Sequence, residues 1–197
     1  MYKKQLVFQK YVCLLAVIAA AVSFLYSLGI ITDIYDSLYA TMMNPNDLTQ
    51  TFVPGSIIYY DMQDFNKLYT NVSVGLILAA CLLYLMNTQI RRKYYIGNYV
   101  AIAIYSIATV GVTIWAHLEI SAFKTQYLTT VDFEALKAFA EMWNKTYIES
   151  TFMLDLHYAV AAISLVSVAA LIGNMIWKMQ LMKAEDALIE AGKEAVA

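Results

Sequence analysis

Residues 156–177 read LHYAVAAISLVSVAALIGNMIW, a run with no Asp, Glu, Lys or Arg. At 1.5 Å per residue, a helix of about 20 residues crosses the roughly 30 Å hydrocarbon core of a bilayer. Three more runs meet that requirement, at 11–32, 69–90 and 95–118. The second of these is built on LYTNVSVGLILAACLLYLMN. The expected fold is an all-α membrane protein: one four-helix membrane domain over residues 1–197, with helical extracytoplasmic extensions and with the fourth span continuing as a helix into the tail. The outer segments are 33–68 and 119–155, the cytoplasmic turn is 91–94 and the cytoplasmic tail is 178–197.

Composition points to the same solvent. Apolar residues make up 61% of the chain and charged residues 14%, against roughly half and a quarter in soluble domains. A core of this size cannot hide that much apolar surface, so lipid is the expected partner of the exterior. Two prolines and seven glycines favour long uninterrupted helices. A net charge of −2 and the lack of a long basic run exclude nucleic acid as a partner. The first apolar run, behind Lys3, Lys4 and Lys10, exceeds the 7–15 residues of a signal-peptide core, so it reads as a retained helix.

Basic residues set the expected orientation. Lys3, Lys4 and Lys10 precede the first span, Arg91, Arg92 and Lys93 occupy the tight turn, and Lys178, Lys183 and Lys193 follow the fourth. That side should be the cytoplasm, which places both termini inside. Most acids, from Asp33 to Asp155, fall in the two long connections and make an acidic outer face. Tyr11, Tyr94, Tyr95 and Trp177 mark the inner boundary, and Tyr35, Tyr59, Tyr60, Tyr69, Trp115 and Tyr158 the outer one, as in an aromatic belt. The four-span layout resembles tetraspanins and connexins, but the cysteine-stapled outer loops of those families are missing: Cys13 and Cys81 both lie inside apolar runs.

An offset of 88 residues aligns Tyr11-Val12 with Tyr99-Val100, and Leu68, Val72 and Leu83 with Leu156, Val160 and Leu171. Each half is then helix, long excursion, helix, the pattern of two tandem hairpins related by an axis along the membrane normal. In the first excursion, Asn44-Pro45-Asn46-Asp47 and Val53-Pro54-Gly55 are turn signals, and residues from Ile57 to Lys67 suit a helix leading into the second span. In the second, Leu136, Phe139, Ala140, Trp143 and Tyr147 recur at helical spacing, with Thr130 or Asp132 placed to cap the start. Leu136, Phe139, Trp143 and Tyr147 are the candidate surface for a partner protein. Asn144-Lys145-Thr146 fits the glycosylation acceptor pattern.

The middles of the spans hold no acid, base or histidine, which disfavours proton-coupled transport. Their polar groups are Ser23, Tyr84, Tyr105, Ser106, Thr109, Thr113, Ser164, Ser167 and Asn174. The candidate metal ligands sit at the outer boundary: His117 and Glu119 end the third span, and Asp155 and His157 begin the fourth. Antiparallel neighbours would bring these imidazoles and carboxylates to one depth, a ligand set for a divalent ion. Residues two apart do not share a helix face, so the set requires local unwinding.

No HExxH, Gly-x-Ser-x-Gly, phosphate-binding loop or Cys-x-x-Cys occurs, so no enzyme activity and no cofactor are expected. Small residues recur at four- or eight-residue steps in every span: Ala19, Ser23 and Ser27; Gly75 and Ala79; Ala103 and Gly111; Ala169 and Gly173. They let helices approach closely, within the chain or between chains. The expected role is a non-catalytic membrane subunit of a larger complex, contributing packing faces and an outer helical cap. The alternative is a homo-oligomeric channel with an acidic outer vestibule.

Overall fold

The computed structural model describes residues 2–42, 50–89 and 95–194. The Asn44–Asp47 turn signal and the basic turn 91–94 lie outside the described residues. In chain order the elements are α1 (Tyr2–Gly29), α2 (Thr32–Leu38), a 3₁₀ turn (Tyr39–Thr41), α3 (Ile58–Gln89), α4 (Tyr95–Thr130), α5 (Phe133–Met142), α6 (Phe152–Asp155) and α7 (His157–Glu194). Among the described residues the chain is all-helical apart from one β-bridge between Met42 and Thr51. Four stretches, carried by α1, α3, α4 and α6–α7, are long and apolar enough to cross a membrane.

The helices outrun the apolar stretches that the sequence marks. α4 has 36 residues, about 54 Å of helix. Ile57–Lys67 forms no separate helix: α3 starts at Ile58 and runs through to Gln89. α7 continues past the tail's first lysines to Glu194. A helix stops where the backbone must, at proline, glycine or an unfavourable cap, and polar side chains alone do not end it.

The chain divides into two compact units. The first comprises residues 1–21, 75–111 and 163–197. Its buried apolar groups are mostly small or slender: Val12, Cys13, Ala16, Ala20, Ala80, Leu83, Ile102 and Leu171. Amides and hydroxyls are buried beside them, among them Gln5, Gln9, Asn87, Asn98, Ser106, Ser164, Ser167 and Asn174. Tyr105 Oη donates to the Ala16 carbonyl at 3.2 Å.

The second unit comprises residues 22–74 and 112–162 and has a large aromatic and aliphatic core, including Tyr26, Ile30, Ile34, Phe65, Tyr69, Ile120, Tyr127 and Leu154. Phe65 stacks on Tyr69, with ring centroids 5.7 Å apart, and both rings approach Trp115. Asp33, in the first turn of α2, accepts from Ser150 Oγ at 3.0 Å and from the Met153 N–H at 2.9 Å. That one carboxylate fastens the two long connections together across 120 residues of sequence.

α5 shows how local chemistry sets a boundary. Asp132 is its N-cap, accepting from Ala135 N–H at 2.9 Å, with Glu134 in the first turn, where a negative charge suits the exposed N–H groups. At the other end Asn144 has φ 50°. Lys145 N–H bonds to the Ala140 carbonyl at 2.8 Å, and Asn144 N–H to Glu141 at 3.4 Å, the pair of bonds that closes a helix at a left-handed residue. The helix therefore ends at Met142, and Tyr147 lies beyond it rather than on its stripe.

Val53-Pro54-Gly55 makes the turn that its residues indicate, seated against the α4–α5 junction. Pro54 C=O accepts from Asp132 N–H at 3.1 Å. Gly55 has φ 82°, and a Cβ there would fall 2.1 Å from the Thr130 carbonyl oxygen. Both the backbone angle and the contact require glycine. Gly55→Ala is expected to destabilise the second unit by more than about 2 kcal/mol, whereas Gly111→Ala, where an added Cβ meets nothing within 4 Å, should leave the first unit, which contains it, unchanged or slightly more stable. Thermal unfolding of the two purified variants in the same detergent measures the contrast.

Candidate functional site

The fourth apolar stretch is interrupted once, at Leu156 between α6 and α7. There two backbone carbonyls are met by side chains: Tyr26 Oη donates to Met153 O at 2.9 Å, and His157 Nδ1 donates to Leu154 O. With Nδ1 holding the proton, His157 Nε2 is the accepting nitrogen. It faces His117 Nδ1 of α4 at 2.9 Å. His157 is buried and His117 part-buried, with Tyr158 against both rings. The two imidazoles form a directed chain, His117 donating to His157 and His157 to a carbonyl.

The two carboxylates of the candidate metal set do not join this pair. Asp155 accepts from Lys124 Nζ at 2.5 Å and from Thr151 Oγ1 at 2.9 Å. Glu119 is part-buried on α4, two residues on from His117. Local interruption of the helix occurs where the sequence requires it, but it directs Asp155 to a lysine. Among the described residues no three His, Cys, Asp or Glu side chains converge as metal ligands.

Of the candidate docking residues, Leu136, Phe139 and Tyr147 line one cavity of about 230 Å³, together with Asp36, Ser37, Ala140 and Lys145. Leu136 is buried at its floor. Tyr147 Oη donates to Glu149 Oε2 at 2.6 Å. That carboxylate, helped by slight burial, pushes the Tyr147 hydroxyl up to about 12, so the side chain is neutral at physiological pH. Trp143 does not line the cavity: it is 55% exposed, with its ring 6.2 Å from Phe139. A wider depression of about 460 Å³ lies along Phe133, Glu134, Lys137, Glu141, Tyr147 and Glu149.

The first unit holds a polar cluster that hydropathy does not reveal. Gln5 Nε2 donates to Gln9 Oε1 and to Asn174 Oδ1, each at 3.0 Å, and Gln9 Nε2 donates to the Asn87 carbonyl at 2.6 Å. Asn87 Nδ2 turns back to Leu83 O at 2.9 Å. α1, α3 and α7 are thereby joined by buried amides, and Lys178, one turn beyond Asn174, is buried as well. The signal lies in spacing: Gln5 and Gln9 share a helix face with Cys13, Ala16 and Ala20, all buried.

Among the described residues these side chains hydrogen-bond one element to another. Two measurements follow from the geometry. With both rings neutral, nitrogen NMR should report His117 and His157 both as Nδ1–H tautomers; an Nε2–H signal for His157 would contradict the hydrogen-bond chain. Gln9→Ala should cost about 1–3 kcal/mol, because it leaves Asn87 and Gln5 with unmatched buried groups, while Gln5→Leu combined with Asn174→Leu should cost less than either single change, as read by reversible unfolding in bicelles.

Comparison with known proteins brings in no relative: no family model, no curated protein and no solved structure matches the chain.

Proposed function

We propose that the chain is an integral membrane protein of two tandem helical hairpins, with both termini in the cytoplasm, acting as a non-catalytic subunit of a larger membrane complex. The basic residues at both termini and in the 91–94 turn support the orientation.

The observation that carries the subunit role is the placement of the small residues. In α1, Ala19, Ser23 and Ser27 are buried in the chain's own interior. The rows on the other long helices face outwards. Gly75, Ala103, Gly111, Ala169 and Gly173 are exposed, and a Cβ added at Gly75, Gly111 or Gly173 meets nothing within 4 Å. Glycine in a helix costs about 1 kcal/mol relative to alanine, and here no packing among the described residues requires it. A surface where a foreign helix can come close supplies that requirement. Met142 and Trp143, 78% and 55% exposed, add an apolar ridge on α5, outside the four apolar stretches.

The homo-oligomeric channel fits less well. A lumen between copies needs polar groups on the outward faces, whereas Ser23, Ser106, Thr109, Ser164, Ser167 and Asn174 are all buried within the chain.

Native mass spectrometry of the protein, extracted gently from its own host, tests the reading. The expected result is one or more different chains at fixed stoichiometry. Gly75→Leu, Gly111→Leu and Gly173→Leu should then release those chains while changing the unfolding free energy of the isolated protein by less than about 1 kcal/mol. Recovery of only the monomer, or of a ring of identical chains that conducts cations in planar bilayers, would overturn it.

A further inference from the structure

The cavity of about 230 Å³ beside α5 joins two opposite charges that do not neutralise each other. Asp36 of α2 and Lys145, just past α5, both line it. Both are exposed, and among the described residues neither enters an ion pair. Leu136, Phe139 and Ala140 line the same cavity as an apolar wall. We propose that this cavity binds a free α-amino acid as its zwitterion, Asp36 receiving the ammonium group, Lys145 the carboxylate, and the wall an apolar side chain.

Charge balance selects the class. One acid and one base, both open, match a ligand that carries one of each; a dication would be opposed by Lys145 and a dianion by Asp36. Volume limits the size. At roughly 30 Å³ per water, a volume of about 230 Å³ corresponds to about eight waters, on the scale of one amino acid. Tyr147 offers the face of a neutral ring, since Glu149 engages its hydroxyl.

The frame is ordered before any ligand arrives. Ser37, next to Asp36, bonds through Oγ to the Asp33 carbonyl at 2.9 Å and accepts from the buried Tyr127 hydroxyl at 3.3 Å. Lys145 is set by the left-handed Asn144 and by its own N–H bond to Ala140, which also supplies part of the wall. Fixed backbones on both sides reduce the ordering cost that weakens sites built on loose loops.

The test is calorimetric titration of the full-length protein in nanodiscs with L-leucine, L-isoleucine, L-valine, L-methionine and L-phenylalanine. The ligand that binds is followed by its N-acetyl and C-terminal amide forms, each of which lacks one charge. The expected result is binding of at least one with Kd below about 1 mM, weakened at least about tenfold in both blocked forms. Asp36→Asn and Lys145→Met should each reproduce that loss for the free amino acid, with unfolding temperatures unchanged because both side chains are exposed. No binding of any of the five up to about 5 mM, equal binding of the blocked forms, or wild-type affinity in both variants would overturn the proposal. Titration is read whether or not other chains accompany the protein, so its failure and the failure of the subunit reading are separate results.

Discussion

On α4, Ile104, Ile107, Ile114 and Leu118 are each more than half exposed, while Ser106 and Thr109 on the same helix are buried. α3 repeats the arrangement, with Leu78 and Leu82 outside and Ser73 and Asn87 within. In water this inversion would be unstable, since about 25 cal/mol is lost for each Å² of apolar surface left in contact with solvent. A hydrocarbon solvent, as in the membrane location proposed above, would remove that penalty and impose another: a polar side chain facing lipid has no partner. The interior therefore takes the hydroxyls and amides, and the exterior takes leucine and isoleucine.

The two units meet this constraint differently. The second has seventeen buried apolar residues in one cluster, many of them aromatic, the kind of core whose burial from water is worth about 1.5–3 kcal/mol for each large side chain. It also contains the Asp33, Asp155 and Tyr127 hydrogen bonds that hold its connections. Alanines and slender aliphatics make up most of the first unit's apolar interior, and the Gln5–Gln9–Asn87–Asn174 cluster joins three helices there. Where the surroundings are as apolar as the helices, hydrophobic burial no longer discriminates between packed and separated helices, and such bonds together with close contact fix the arrangement.

That division explains which features were legible in the sequence. Apolar run length marked the four long helices, and Thr130 or Asp132 marked the start of α5, which Asp132 caps, because both signals are local. That helices run on beyond the apolar stretches was legible, but where α4 and α7 stop was not, since hydropathy falls at the end of an apolar run while a helix continues until its backbone is interrupted. Tyr147 keeps helical spacing with Trp143, yet a left-handed Asn144 separates them. The bond from Asp33 to Met153 spans 120 residues and has no periodic trace at all. His117 and His157 were placed together by helix antiparallelism, but the preference of Asp155 for Lys124 depended on a lysine seven residues further along α4 than His117, which boundary position alone does not reveal.

Glycine placement has the widest consequence because it separates two uses that a sequence leaves equivalent. Small residues in a helix serve close approach, but only coordinates tell which neighbour approaches. Ala19, Ser23 and Ser27 of α1 are spent on internal packing, whereas an added Cβ at Gly75, Gly111 or Gly173 meets nothing within 4 Å. Lipid chains gain nothing from a groove of backbone, since they are fluid and fill any surface equally well. A rigid helix gains shorter contact distances and greater dispersion attraction over its whole length. Under the subunit role proposed above, the exposed glycines of α3, α4 and α7 would let a foreign helix approach closely, and they lie in the unit whose own interior is held by amides instead of by bulk.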